Sequence, residues 1–330
     1  MVAMNYRRVP WRWPLVAAIC LLVVVPGGAQ DEEPPEYAVQ APLVSKSLLI
    51  DVAAVDGLLV AVGSRGHILL SEDQGQSWNQ AEVPTRSGLN AVFFHDRNLG
   101  WAVGHDSVIV RTQDGGVTWE RVHWAPEDEN PLMDVWFKNA EQGFAIGAYG
   151  TFFETSDGGT TWTSRYISED DFHLNQIVPA GDERLYIAAE AGMFYRSDDG
   201  GATWADLPTP YHGSFFGVLP LEGDSVLAFG LRGHLFRSDD AGETWTELET
   251  HTVSMLTSSF KLADGTIIIT GLGGVVLEST DGGQTFEFHQ HCNRRGISAG
   301  TAATGETLVF VGEFGVRVLP LSKLNDRKDG

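Results

Sequence analysis

Cysteine is nearly absent: the 330 residues include two, Cys20 and Cys292. Cys20 falls in a segment that reads as a cleaved leader, which leaves Cys292 as a lone thiol and excludes an internal disulfide. Basic side chains are also scarce. Lys and Arg total 22 against 44 Asp and Glu, a net charge of −22, and such a surface repels nucleic acid and anionic membrane faces. No window has helical periodicity of useful length, so the chain reads as all-β. The one long apolar run, Leu15 to Val25, is short for a membrane span. Arg7, Arg8 and Arg12 lie before it and small residues follow at Pro26 to Ala29, the layout of a secretory signal.

These features set the expected organisation: a signal peptide over 1–29, a charged flexible lead-in over 30–36, one domain over 37–322 and a tail over 323–330. The expected location is outside the cytoplasm: a bacterial periplasm, a thylakoid lumen in a photosynthetic host, or the extracellular space. After cleavage no direct membrane insertion is expected, and the free protein is expected to be a monomer. An exported chain without disulfides must draw its stability from its core, and one of this length can bury enough to do so.

What the chain has in abundance is repetition. Six eight-residue boxes recur: SEDQGQSW from Ser71, TQDGGVTW from Thr112, TSDGGTTW from Thr155, SDDGGATW from Ser197, SDDAGETW from Ser238 and STDGGQTF from Ser279. Their central residues, Asp73, Asp114, Asp157, Asp199, Asp240 and Asp281, are 41, 43, 42, 41 and 41 apart. Before each box, and once more near the C-terminus, stands an apolar hairpin with a turn glycine at Gly63, Gly104, Gly147, Gly230, Gly271 or Gly312, or with Ala189 in that place. One small antiparallel sheet cannot bury both its faces, whereas a closed ring of stacked sheets can. Seven hairpins therefore predict a seven-bladed β-propeller of four-stranded antiparallel blades. The spare piece, Tyr37 to Leu43, is expected to pair beside Val316 to Leu319 and close the ring by strand exchange between the termini.

Each box Asp can accept hydrogen bonds from backbone N–H groups and hydroxyls across its turn, with glycine supplying φ > 0 and the Trp or Phe packing beneath. A carboxylate repeated in every blade cannot converge on one catalytic point, so these six read as structural. Neither a calcium-loop pattern nor a zinc spacing is present, and no metal or cofactor is expected. Arg111, Arg196 and Arg237, which precede three boxes, read as pairing with neighbouring blades rather than as an anion-binding trio. His67 and His234 come from distant blades and lack a third ligand. His291–Cys292 is weighed as half a nucleophile pair and read as an ordinary thiol.

The boxes resemble bacterial neuraminidase (Asp-box, or BNR) repeats. Together with the hairpins, the seven-fold count and the export signal, they are similar to the photosystem II stability/assembly factor family over Tyr37 to Leu321. That resemblance implies a non-enzymatic scaffold for a membrane-protein assembly intermediate. The function expected is thus a binding propeller serving an integral-membrane or envelope protein complex, without nucleic acid. The alternative is a sialidase-like glycoside hydrolase, for which Tyr149 and Glu190 are the best-placed nucleophile and activator, or a carbohydrate-binding propeller using Trp124 or Trp136.

Recognition is expected on the rim opposite the boxes, where hairpin tips and interblade links meet. The tips supply Arg65, His105, Asp106, Tyr149, Glu190, Arg232 and Phe314. The links supply Arg86, the acidic runs Glu127 to Asn130 and Ser168 to His173, Tyr211 with His212, His251, and Arg294 with Arg295. Mixed charge among aromatic residues suits a protein or peptide surface.

Overall fold

The computed structural model describes residues 34–290, 293–304 and 307–324. The expected leader with Cys20, most of the lead-in, the end of the tail and the His291–Cys292 pair lie outside them.

Seven antiparallel sheets follow one another along the chain, six of four strands and the last of three. In every sheet the strands are adjacent in chain order. Blade 2 is representative: Leu89–Phe94, Gly100–Gly104, Ile109–Thr112 and Glu120–His123 run from the axis outward. The other inner strands are Leu49–Val55, Leu132–Phe137, Leu174–Pro179, Phe215–Pro220, Leu256–Lys261 and Ile297–Thr304. Contacts between successive inner strands include one from the seventh back to the first, so the sheets form a closed seven-bladed propeller. Short 3-10 turns are the sole helical elements among the described residues.

Five of the seven second strands, Leu58–Gly63 and Val226–Gly230 among them, are buried at every residue, because neighbouring blades cover both their faces. The apolar side chains divide into seven clusters, one between each pair of adjacent blades. Each box aromatic enters the layer between its own blade and the preceding one: Trp119 between blades 1 and 2, Trp162 between 2 and 3, and Trp204, Trp245, Phe286 and Trp78 in four more. The layer between blades 6 and 7 has no box aromatic and is filled by Leu319, Leu321 and Leu324.

The hairpin glycines differ from expectation in one respect. Gly63 and Gly104 have φ of −177° and −176°, extended backbone that any residue adopts. Glycine is needed there for close approach: a Cβ on Gly104 would lie 1.9 Å from the Gly88 carbonyl oxygen of the link. The left-handed residues are instead the hairpin tips Arg65, Asp106, Tyr149, Ala191 and Arg232, with φ of 62°, 59°, 55°, 57° and 57°.

No ladder joins 37–43 to 316–319 among the described residues. The N-terminal segment takes another course at the seam: Ala38 N–H donates to Val83 O at 2.9 Å, and Ala41 N–H donates to Gln80 Oε1 at 2.9 Å. It then packs Ala41 and Val44 with Trp78 and Val316, while Ser45 O lies against Gly315. This segment therefore bridges the first and last blades as a clasp.

Candidate functional site

The propeller has two rims and a narrow channel, and their chemistry differs. On the box rim each Asp is held in one pattern. Asp157 accepts from Thr155 Oγ1 at 2.9 Å, Thr161 N–H at 2.9 Å and Thr161 Oγ1 at 2.7 Å. Equivalent bonds hold Asp73, Asp114, Asp199, Asp240 and Asp281. Hydrogen bonds from Ser77 hold Asp73 down at about 2, and those from the Thr161 N–H and hydroxyl do the same for Asp157. The six carboxylates are spread around the ring and serve six separate turns.

The arginines before the boxes reach into the next blade. Arg111 Nη1 donates to Gly158 O at 3.1 Å, Arg196 Nη1 to Ala241 O at 2.9 Å and Arg237 Nη1 to Gly282 O at 2.7 Å. Blade 3 has Glu154 at this position. There Arg165, from the outer strand, pairs with Glu154 at 2.8 Å and donates to Gly201 O. In three other boxes the Trp indole donates to that carbonyl, as from Trp119 to Gly116 O at 2.9 Å. Trp204 Nε1 has no hydrogen-bond partner, and neither has Trp245 Nε1.

The channel holds two carboxylates that the sequence reading passed over. Every inner strand carries a bulge near its start, which turns side chains toward the axis. Asp51 accepts from Val52 N–H at 2.8 Å and from Val92 N–H of blade 2 at 2.9 Å. Asp134 accepts from Val135 N–H at 2.8 Å and from Ile177 N–H of blade 4 at 2.9 Å. Asn90 and Asn175 donate to the Leu132 and Phe215 carbonyls of the blades that follow them, at 2.8 and 2.7 Å. Burial raises the Asp51 carboxyl. Burial, and then the charge of Asp51, push Asp134 up to about 7. The repeated Leu-x-Asp-Val of 49–52 and 132–135 was the available signal.

The opposite rim carries the tips and links. Arg65, Arg86, His105, Tyr149, His212, Arg232, Arg294 and Arg295 are exposed there, while Asp106, Glu190 and Phe314 are half-buried. These residues lie around the ring rather than in one pocket, and several have internal partners. Arg86 Nε donates to Tyr37 O at 3.0 Å and its Nη1 pairs with Glu36 at 3.0 Å, so it tethers the N-terminal segment. Asp106 accepts from Ser87 Oγ at 2.5 Å. Arg317 lies over the Phe314 ring at 4.9 Å, and Arg295 donates to Glu313 O. Arg232 and His251 border an open depression with His234, which is bonded to Glu247 at 2.5 Å.

Tyr149, His173 and Glu190 do come together. Tyr149 N–H donates to His173 Nδ1 at 3.1 Å, and the two rings meet edge to face at 4.9 Å. Glu190 Oε2 approaches the same Nδ1 at 3.7 Å and accepts from His173 N–H at 3.4 Å. Glu190 thus faces His173 rather than a tyrosine hydroxyl, and no arginine stands in the 166–173 link to grip a substrate carboxylate. Trp136 is buried at 9% exposure, so only Trp124, at 39%, is open as a platform. No cluster of three His, Cys, Asp or Glu at metal-binding geometry occurs among the described residues.

A family profile described as "Photosynthesis system II assembly factor YCF48" matches residues 70–131 and 123–268. That is more than half of the chain, and the chain belongs to this family. It is 37% identical over 83 residues to a photosystem II stability/assembly factor HCF136, chloroplastic, of Cyanidioschyzon merolae, covering 23% of this chain and 19% of that relative. The alignment thus spans about a fifth of that relative's length. Among solved structures it is similar to "YCF48 bound to D1 peptide", with a TM-score of 0.67 and 18% identity over 88% of this chain and 96% of that one. It is also similar to a streptogramin B lyase, with a TM-score of 0.72 and 11% identity over 86% of this chain and 97% of that one. At these identities the structural likeness carries the fold alone.

Proposed function

With that family membership as premise, we propose that the chain is a non-enzymatic binding propeller, an assembly, stability or accessory factor for an integral-membrane or envelope protein complex. Its contact face is the rim of tips and links, and it works outside the cytoplasm, as the leader-like residues 1–29 suggest. One observation carries this reading: the distribution of exposed large apolar side chains. Leu43, Leu48, Trp124, Tyr149, Tyr166, Leu231, Val253 and Leu272 stand on the tip-and-link side, against Val117 on the box side, with Tyr37 and Val39 on the N-terminal segment along blade 1. Apolar groups gathered on one face of a rigid ring mark an interaction surface, and a rigid surface loses little ordering entropy on binding. The peptide bound to the solved YCF48 relative supports the same class of activity.

A photo-crosslinker at Arg232, followed by affinity recovery from solubilised membranes, tests the reading. One integral-membrane protein should be recovered and crosslinked from Arg232, and not from Asp182 on the box side. Repeated recovery of no specific protein counts against the proposal. The glycosidase alternative has in its favour only that Tyr149 and Glu190 both contact His173. Hydrolysis of a fluorogenic sialoside that disappears in Tyr149→Phe would establish it in place of the scaffold reading.

A further inference from the structure

We propose that the arc of the tip-and-link rim across blades 2 to 4 docks a lysine- or arginine-bearing protein segment that also carries apolar side chains. The inference rests on this rim being the contact face and adds the chemistry of what is recognised. Its first ground is charge left without a counterpart. On the box side the chain neutralises several of its own acids: Arg97 pairs with Glu72, Lys138 with Glu183, Arg184 with Asp198 and Asp224, and Arg196 with Asp198 and Glu243. Across the arc the links 124–131 and 166–173 and the tips 105–107, 148–150 and 190–192 contain no lysine or arginine. Glu127, Asp128, Glu129, Glu169, Asp170 and Asp171 are all exposed. A surface this acidic repels anionic lipid and nucleic acid, so a cationic partner is the one that fits.

The second ground is the apolar component. Trp124, Tyr149 and Tyr166 are 39%, 56% and 81% exposed between these carboxylates, and aromatic faces attract ammonium and guanidinium groups. The chain itself seats one such group here, since Arg121 lies over the Trp124 ring at 4.4 Å.

The third ground is a buried polar atom. His123 Nε2 is buried without a hydrogen-bond partner, within reach of Glu127 and Asp128 of the 124–131 link. Buried polar atoms are ordinarily satisfied, and this one lies beside the link where an incoming chain would add polar groups.

The test uses fluorescence anisotropy of a labelled peptide alternating lysine and phenylalanine, with a glutamate–phenylalanine peptide as control. The triple variant Glu127→Gln, Asp128→Asn, Glu129→Gln is compared with Glu141→Gln, Asp182→Asn, Glu222→Gln, which changes net charge equally on the box side. The arc variant should weaken lysine-peptide binding about tenfold, as expected for three exposed charge pairs. Tyr166→Ala should weaken it further, and the box-side variant should change it less than about twofold. Equal loss from both triples would show attraction to net charge alone, and comparable binding of the glutamate peptide would remove charge as the basis; either overturns the proposal. Displacement by calcium chloride far below the sodium chloride of equal ionic strength would reassign the arc to a metal ion. If the arc variant still recovers and crosslinks the client from Arg232 as the wild type does, the arc assignment fails and the binding-propeller reading stands. If recovery and crosslinking already fail in the wild type, the reading itself is lost.

Discussion

Asp134 makes the stability of the propeller depend on pH in an unusual direction. Its folded-state carboxyl is pushed up to about 7, from 3.8, by burial in the channel and by Asp51. Because the folded value lies above the unfolded one, the native state binds the proton more tightly. The associated stability is present below about pH 4 and is lost as pH rises through 7. A shift of this size corresponds to about 4 kcal/mol in full, of which roughly half or more is lost between pH 5 and pH 8. Asp134→Asn holds the site neutral at every pH. It retains one carbonyl acceptor for Val135 or Ile177 and leaves the other N–H facing an amide, at a cost of about 1–3 kcal/mol that does not vary with pH. Urea unfolding followed by tryptophan fluorescence at pH 5, 6, 7 and 8 gives the comparison. The variant should be the less stable protein at pH 5, and the difference should shrink by about 2 kcal/mol or reverse by pH 8. Parallel stability curves for the two proteins would refute the argument, because the carboxyl would then titrate alike folded and unfolded.

Further outcomes follow from the same structure. The box carboxylates Asp73, Asp157, Asp199 and Asp240 are held at about 2; the stability they supply is present above about pH 4 and lost as pH falls toward 2. With the channel acids acting oppositely, the wild-type unfolding midpoint should peak in mildly acidic solution, as a pH series of thermal melts would show. Asp157→Ala should lower the unfolding midpoint while leaving client recovery intact; lost recovery in a fully stable variant would contradict the structural role. Gly104→Ala should destabilise by about 3 kcal/mol or more in urea unfolding, since its Cβ would meet the Gly88 oxygen at 1.9 Å, whereas Ala189→Gly, at the same place in blade 4, should cost about 1 kcal/mol or less. Arg196→Lys should weaken the join between blades 4 and 5, because a single ammonium cannot reach Asp198, Glu243 and the Ala241 carbonyl together; amide exchange should rise at that seam first.

Blade number and strand order were legible in the sequence because the turn chemistry is local: the bonds that fix each Asp lie within four residues of it. What escaped reading depends on partners far along the chain. Arg86 is tied to Glu36 and Tyr37, which no spacing rule connects, and Asp51 reaches Val92 one repeat further on, a contact the period allows but does not single out. The clasp was missed for a related reason. Residues 38–46 join the seam through scattered backbone and side-chain bonds rather than a ladder, so their alternation misleadingly resembles a fourth strand for blade 7. The candidate face was legible as a rim but not as a division of charge, since most of the box-side ion pairs, such as Arg97 with Glu72 and Lys138 with Glu183, are formed between blades.

The contact of Ala38 with Val83 and of Val44 with Val316 gives the ring a buckle. Every other pair of neighbouring blades is joined by continuous polypeptide, and here, among the described residues, the two sides meet through packing and this short strap. A protease cut before Ala38 should leave the belt fastened, and one after Val44 should let it spring open at a single place, with the remaining six joints still stitched by the chain.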